Sequence, residues 1–209
     1  MKLEIYIVRH GETQYNLTGT IQGQSNVPLN ETGLHQADLA AKRLAEENFT
    51  FAYSSDLSRA MVTAEKIVPR LAVTADERLR EWHLGQWQGK TLAEIEELYE
   101  GGFRAFLNAG DKAKVPGGES GYDVFTRVRE FLTELPEKHP EGKILIVSHG
   151  GAIKRMFHFL MGEHNSFREL PQVDNTSISR FIYRNGCWRM ICWNDTSHLA
   201  GSTLLGTRY

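Results

Sequence analysis

Lys143-Ile-Leu-Ile-Val-Ser148-His149-Gly150-Gly151 is the stretch that decides the fold. Its run of large aliphatic residues, ILIV at 144–147, lies between Gly142 and a Ser-His-Gly-Gly segment. That reads as a strand buried on both faces, the kind found inside a parallel sheet. Near the N-terminus, LEIYIVRHG at 3–11 repeats the pattern, with Leu3 to Val8 apolar and then an abrupt change at Arg9-His10-Gly11. A strand that empties into a functional loop has this texture.

Outward from these two strands, helical periodicity alternates with short strands. Asn30 is expected to cap a helix with Leu34, Ala37, Ala41 and Leu44 inside, and Phe49–Tyr53 to form a strand. Ser54 and Ser55 offer the cap of a second helix, with Leu57, Met61, Ala64, Ile67 and Val68 buried, Arg59 off the core face and Pro69 at the end. Leu71–Val73 reads as a further small strand. Residues 82–122 are rich in glycine and contain one amphipathic helix, Leu92–Tyr99, with a Thr91/Glu94 capping box. With too few large apolar residues for a core of its own, 84–122 reads as a lobe inserted over the end of the sheet within a single domain, 1–209. A long helix then buries Val124, Val128, Phe131 and Leu135 and stops at Pro136, and another carries Ile153, Phe157 and Leu160. Asn185-Gly186, between Ser177–Tyr183 and Cys187–Trp193, predicts a two-residue hairpin. The sum is an α/β protein: a three-layer αβα sandwich with a mainly parallel sheet and an antiparallel C-terminal edge hairpin.

Charge narrows the partners. The chain carries 24 Lys and Arg against 26 Asp and Glu, so nothing attracts nucleic acid or an anionic membrane at long range, and any anion site must be local. The first apolar run is too short for a signal peptide or a membrane span. A cytoplasmic location is the default, and a processed mature chain would read the same. Cys187 and Cys192 read as buried and reduced. Their odd-numbered separation puts them on opposite faces of a strand, and neither has a thiol or histidine at metal-ligand spacing.

The chemistry concentrates where the two strongest strands end. Val8-Arg9-His10-Gly11 and Val147-Ser148-His149-Gly150 place a histidine followed by glycine at two strand ends, where open α/β sheets bind small molecules. A glycine after each permits close backbone approach, and nearby N–H groups can donate to an anion. Alone, either histidine reads equally well as packing; repetition favours two imidazoles around one phosphate. Arg9 supplies a fixed cation, and Arg59 another from the first turn of a helix, though a solvated surface arginine is its plainer reading. Trp82, Trp87, Phe103, Phe106 and Tyr122 either shape a pocket or pack the lobe. His83 and His198 stay ambiguous, while His35, His139, His158 and His164 read as ordinary helix or connector residues.

RHGETQYN at 9–16, SSDLSRA at 54–60, LREWHLGQWQG at 79–89 and VSHGG at 147–151 occur in the order found in the histidine phosphatase superfamily. The chain resembles that family, in its cofactor-dependent phosphoglycerate mutase-like branch, over nearly all its length. The resemblance implies a phosphorylated nucleophile at His10, with Arg9, Arg59 and His149 holding the phosphoryl oxygens. It further implies a proton donor and later base at Glu81, a phosphate-pocket donor at Asn16, and a substrate-bordering loop at Gln22 and Gly23, with Gly150 beside the second histidine. Glu81 also reads as a surface partner of Arg78 or Arg80.

Physical chemistry agrees with these roles. A neutral imidazole attacks phosphorus, cations stabilise the equatorial oxygens, and an alkoxide leaving group needs an acid. A complete reactive set argues against a non-catalytic phosphate-binding module. LREWHLGQWQG and PGGES at 116–120 resemble phosphatases more than mutases. The expected activity is hydrolysis of small phosphorylated metabolites with no metal and no organic cofactor, a phosphoglycerate mutase being the alternative. No nucleic acid or membrane partner is expected, and a homodimer is compatible with the sequence.

Overall fold

The structure is a computed structural model that describes residues 2–99, 101–162 and 170–200. Among the described residues the strands β1 (Leu3–Arg9), β2 (Phe51–Ser54), β3 (Val73–Ala75), β4 (Gly142–Ser148), β5 (Ile178–Arg184) and β6 (Cys187–Asp195) form one sheet in the order β3-β2-β4-β1-β5-β6. The first four in that order run parallel, and β5 and β6 close one edge antiparallel. The helices are α1 (Gln14–Thr18), α2 (Glu31–Leu44), α3 (Ser58–Ile67), α4 (Leu92–Leu98), α5 (Gly102–Asn108), α6 (Gly121–Lys138) and α7 (Gly150–Leu160). None is long and apolar enough to cross a membrane.

Strand alternation decides which layer each side chain enters. Leu3, Ile5, Ile7, Ile144 and Ile146 point to one face, where α6 and α7 bring Val124, Val128, Leu132, Ile153 and Met156. Tyr6, Val8, Leu145 and Val147 point to the other, against Ala40 and Leu44 of α2 and Ala60, Ala64 and Ile67 of α3. This is the expected αβα sandwich. The hairpin also forms as expected, since Asn185 and Gly186 both take positive φ, 54° and 79°, as a type I′ turn requires.

Several local expectations are corrected. In α2 the buried residues are Gly33, Gln36, Ala37, Ala40 and Leu44, while Leu34 is exposed and Ala41 only half-buried. The helix is turned by a close backbone approach: a Cβ on Gly33 would sit 2.0 Å from the Glu12 carbonyl oxygen, and Gln36 Oε1 accepts from the Glu12 N–H at 2.9 Å. Neither Ser54 nor Ser55 caps α3, which begins after Leu57. Its Arg59 is buried, because the guanidinium turns into a cavity instead of solvent, and Met61 is half-buried. The third strand lies at Val73–Ala75, not Leu71–Val73. Pro136 does not stop α6, which runs on to Lys138; in the last turn a missing N–H costs one hydrogen bond at most.

The 84–122 segment does have a small core. Trp87, Ile95 and Val115 are buried together, packed by Ile21, Leu84, Tyr99, Phe103 and Phe106, and a second helix, α5, supplies two of those rings. Cys187 is exposed and Cys192 half-buried, both free thiols, because β6 is an edge strand with little cover. His164 lies outside the described residues.

Candidate active site

Register brings the two strand-end histidines together. Arg9 on β1 pairs with Ser148 on the parallel β4, so the next residues, His10 and His149, leave adjacent strands side by side. Their ring centroids are 5.0 Å apart, one strand spacing. The chain can turn sharply after His10 because Gly11 has no side chain: a Cβ there would meet the Gly33 carbonyl oxygen at 2.4 Å.

The two imidazoles are held differently. His10 Nδ1 lies 2.7 Å from the Gly11 carbonyl oxygen. A carbonyl only accepts, so Nδ1 carries the proton and Nε2 keeps its lone pair. Burial, reinforced by the Arg59 and Arg9 charges, holds the His10 pKa well below the usual histidine value, and burial likewise depresses His149. Both are neutral bases at physiological pH.

Two guanidiniums complete the inner cradle. Arg9 donates from one terminal nitrogen to the Val173 carbonyl at 2.7 Å. Arg59 donates to the Ser25 and Gly23 carbonyls, both at 2.8 Å, which ties the 23–25 loop to α3. Burial lowers the Arg59 pKa to about 10, opposed by the Glu81 charge, so the group stays cationic. What remains unpaired is informative: Arg9 Nε, Arg59 Nε and both ring nitrogens of His149 are buried with no hydrogen-bond partner among the described residues. Buried polar groups are rarely left so. Arg9 and Arg59 line a cavity, whereas His149 and Gly150 are not among its lining residues.

Glu81 faces the same cavity from the other side. Its carboxylate accepts from the backbone N–H groups of Trp82 at 2.8 Å, Gly151 at 2.9 Å and Ala152 at 3.1 Å, the last two in the first turn of α7. A negative group there is favoured by the helix dipole. The close approach needs Gly151, where a Cβ would lie 2.4 Å from Glu81 Oε1; Gly150, by contrast, makes only ordinary contact, 3.6 Å to Arg9. Nor is Glu81 the surface partner of its neighbours, since Arg78 pairs with Asp76 and Glu134, and Arg80 with Asp56 and Glu77. The amides of Gly11 and Gly151 are also taken, by Thr63 Oγ1 and Glu81, and so are not the free anion donors the two glycine motifs suggest.

Arg9, His10, Arg59 and Glu81 line one cavity of about 660 Å³, with Asn16, Gln22 and Gly23 along its wall. Asn16 Oδ1 accepts from the Thr13 N–H at 3.2 Å, and Gln22 Oε1 from the Thr13 hydroxyl at 2.9 Å. Trp82, Phe103 and Phe106 line it too; Trp87 and Tyr122 do not, the first being packed against Ile95 and Val115 and the second exposed. No group of three or more His, Cys, Asp or Glu among the described residues is arranged to hold a metal ion.

Several residues that brace this arrangement were not singled out from the sequence. Asn175 Nδ2 donates to the His10 carbonyl at 2.9 Å, and the Thr176 N–H reaches the Arg9 and His10 carbonyls at 3.0 and 3.4 Å. Thr176 does so with φ at 54°, a costly conformation for a β-branched residue. Ser148 Oγ donates to the Leu79 carbonyl at 2.7 Å, fastening the LRE turn to the end of β4. Arg127 of α6 donates to the carbonyls of Arg78, Arg80 and Glu81 and pairs with Glu119. Glu119 in turn accepts from His83 N–H, and its carbonyl accepts from Trp82 Nε1. PGGES therefore serves as a brace for Glu81.

Residues 5–196 match the histidine phosphatase superfamily (branch 1). The chain belongs to this superfamily. As is characteristic of the family, the phosphatase works through a phosphohistidine. Phosphoglycerate mutase-like protein 4 of Arabidopsis thaliana is 36% identical over 202 residues, covering 94% of this chain and 86% of that protein. The mycobacterial glucosyl-3-phosphoglycerate phosphatase, solved with VO3, superposes with a TM-score of 0.83 at 35% identity, over 92% of this chain and 99% of the other. The Entamoeba histolytica phosphoserine phosphatase, solved with 3-phosphoglyceric acid, superposes with a TM-score of 0.85 at 32% identity, over 94% and 99%.

Proposed function

We propose that this phosphatase hydrolyses small phosphorylated metabolites with His10 as the nucleophile. Arg9, Arg59 and His149 hold the phosphoryl oxygens. His10 Nε2 attacks phosphorus, the N–P bond forms as the P–O bond to the leaving group breaks, and Glu81, which enters this step in its protonated form, gives that proton to the departing oxygen. Water then enters; Glu81 takes its proton while the hydroxide oxygen attacks phosphorus, releasing inorganic phosphate and neutral His10. Asn16, Gln22, Gly23 and Gly150 border the substrate, and residues 84–122 form a lobe over it. No metal or organic cofactor takes part. The protein works in the cytoplasm, and a homodimer is compatible with this reading.

The observation that supports this most is the cluster of orphaned donors, Arg9 Nε, Arg59 Nε and His149, beside an imidazole whose Nε2 is unprotonated. The mutase remains the second reading, favoured by the name of the Arabidopsis relative. Turnover of a panel of sugar, nucleoside and three-carbon phosphates, with a chelator present, separates them. The expected result is inorganic phosphate, unaffected by the chelator. Conversion of 3-phosphoglycerate to 2-phosphoglycerate that needs 2,3-bisphosphoglycerate and exceeds phosphate release from every panel member would reverse the order.

A further inference from the structure

The cavity extends beyond the phosphate cradle, and the roles above leave cations in it unused. Arg104 of α5, Lys154 and Arg155 of α7 all line it. Arg155 is engaged: its Nε donates to the Gly121 carbonyl at 3.4 Å, its guanidinium stacks 5.2 Å from the centre of the Trp82 ring, and Asp111 lies nearby. Lys154 and Arg104 are different. Neither has a hydrogen bond or ion pair with any described residue.

Lys154 is the more telling of the two because it is half-buried, one turn into α7, where Arg104 is exposed. Burial, with Arg9 and Arg155 beside it, holds its ammonium below the usual lysine range. The charge it faces, Glu81, is already occupied by three backbone N–H groups. An ammonium partly removed from water without a counter-charge is unfavourable, and a substrate that covered it with neutral groups would make it more so. A scissile phosphate dianion answers only Arg9 and Arg59.

We infer that the substrate carries a second anionic group, a carboxylate or another phosphate, which binds Lys154 with Arg104 alongside. This rests on the inner cradle being the phosphoryl site. It narrows the substrate class from phosphomonoesters in general to those whose leaving group is itself an acid. Lys154 is here a specificity residue that touches substrate away from the reacting phosphorus.

The test uses matched pairs. 3-Phosphoglycerate and glycerol 3-phosphate differ only in a carboxylate against a hydroxymethyl group, and fructose 1,6-bisphosphate and fructose 6-phosphate only in the second phosphate. The kcat/KM ratio within at least one pair should favour the more anionic member by about tenfold or more, as expected for a charged hydrogen bond. Which pair discriminates tells carboxylate from phosphate. Lys154→Met should collapse that ratio toward one, and Lys154→Arg should restore most of it. Ratios near one in the original protein, or a loss in Lys154→Met equal for both members, would overturn the inference; the latter would make Lys154 part of the phosphoryl cradle. Calorimetric titration of the same pairs separates the two failures. Selective binding without hydrolysis would overturn the phosphatase reading and leave the subsite standing, whereas hydrolysis without selectivity would do the reverse.

Discussion

The ends of β1 and β4 are written alike, a histidine then a glycine after a buried strand, yet the structure holds the two rings differently. At β1 the ring of His10 is tied by one nitrogen to the Gly11 carbonyl, which selects a tautomer and aims the other nitrogen. At β4 neither nitrogen of His149 has a partner among the described residues, and the turn after it opens α7, whose first amides hold Glu81. The same local sequence thus fixes one ring nitrogen where a carbonyl sits beside it, and leaves both without a partner among the described residues where none does; the proposed roles, nucleophile and anion donor, rest on that difference. Tertiary surroundings assign the role; the strand end only supplies the position.

The largest expected effect breaks this pair apart. His10→Ala should lower kcat by about 10⁴-fold or more with circular dichroism unchanged, as removal of a nucleophile does. His149→Ala should cost about 10²–10³-fold, the range for loss of one oxyanion donor, and should still form a phosphoenzyme. Equal losses would mean the two histidines act as one unit.

Glu81 sharpens the β4 side. Glu81→Gln should depress hydrolysis of alkyl phosphates by about 10²–10⁴-fold, as loss of a general acid does, and that of p-nitrophenyl phosphate far less, because a good leaving group needs little protonation. Steady-state kinetics on both substrates checks it, and equal losses would point to positioning. On the β1 side, Asn175→Ala removes the side-chain donor to the His10 carbonyl and should lower kcat about tenfold with little change in KM. A change confined to KM would place Asn175 in substrate binding.

The smallest effect treats the histidines alike. Both have folded pKa values below the usual histidine value near 6.5, so below pH 6.5 the unfolded chain binds more protons than the folded one. Stability therefore falls as pH drops from 6.5 toward 5, by up to about 1.4 kcal/mol per pH unit for each histidine, and is insensitive to them above 6.5. Denaturant titrations across this window, in a buffer without phosphate, should show the slope reduced by roughly one proton in His10→Gln. An unchanged slope would mean His10 titrates normally.

Much of this was legible in the sequence where the signal is local. Strands β1 and β4, the Asn185-Gly186 turn and the Thr91 capping box follow from short patterns, and so does the position of both histidines. What escaped depends on distant packing. Ser148, Arg127 and Asn175 act through backbone carbonyls far along the chain, Glu119 accepts from the distant His83 N–H and from Arg127, and neither Asn175 nor the strained Thr176 has a sequence pattern that announces it. Leu34 and Arg59 depart from the expected faces because helical periodicity cannot show that Gly33 must meet the Glu12 carbonyl, or that a buried arginine faces a cavity. The aromatic residues of the lobe core are spaced irregularly, so no period gathers Trp87, Phe103 and Phe106.

The central claim, that His10 passes a phosphoryl group to water, is tested most directly by rapid-quench trapping and chase with ³²P-labelled substrate, using a base quench. The account predicts an acid-labile, base-stable label on His10 that forms within the first turnover and chases into inorganic phosphate at the rate of kcat, with none in His10→Ala. Label on another residue, or label that passes to an added phosphoglycerate faster than to water, would contradict it.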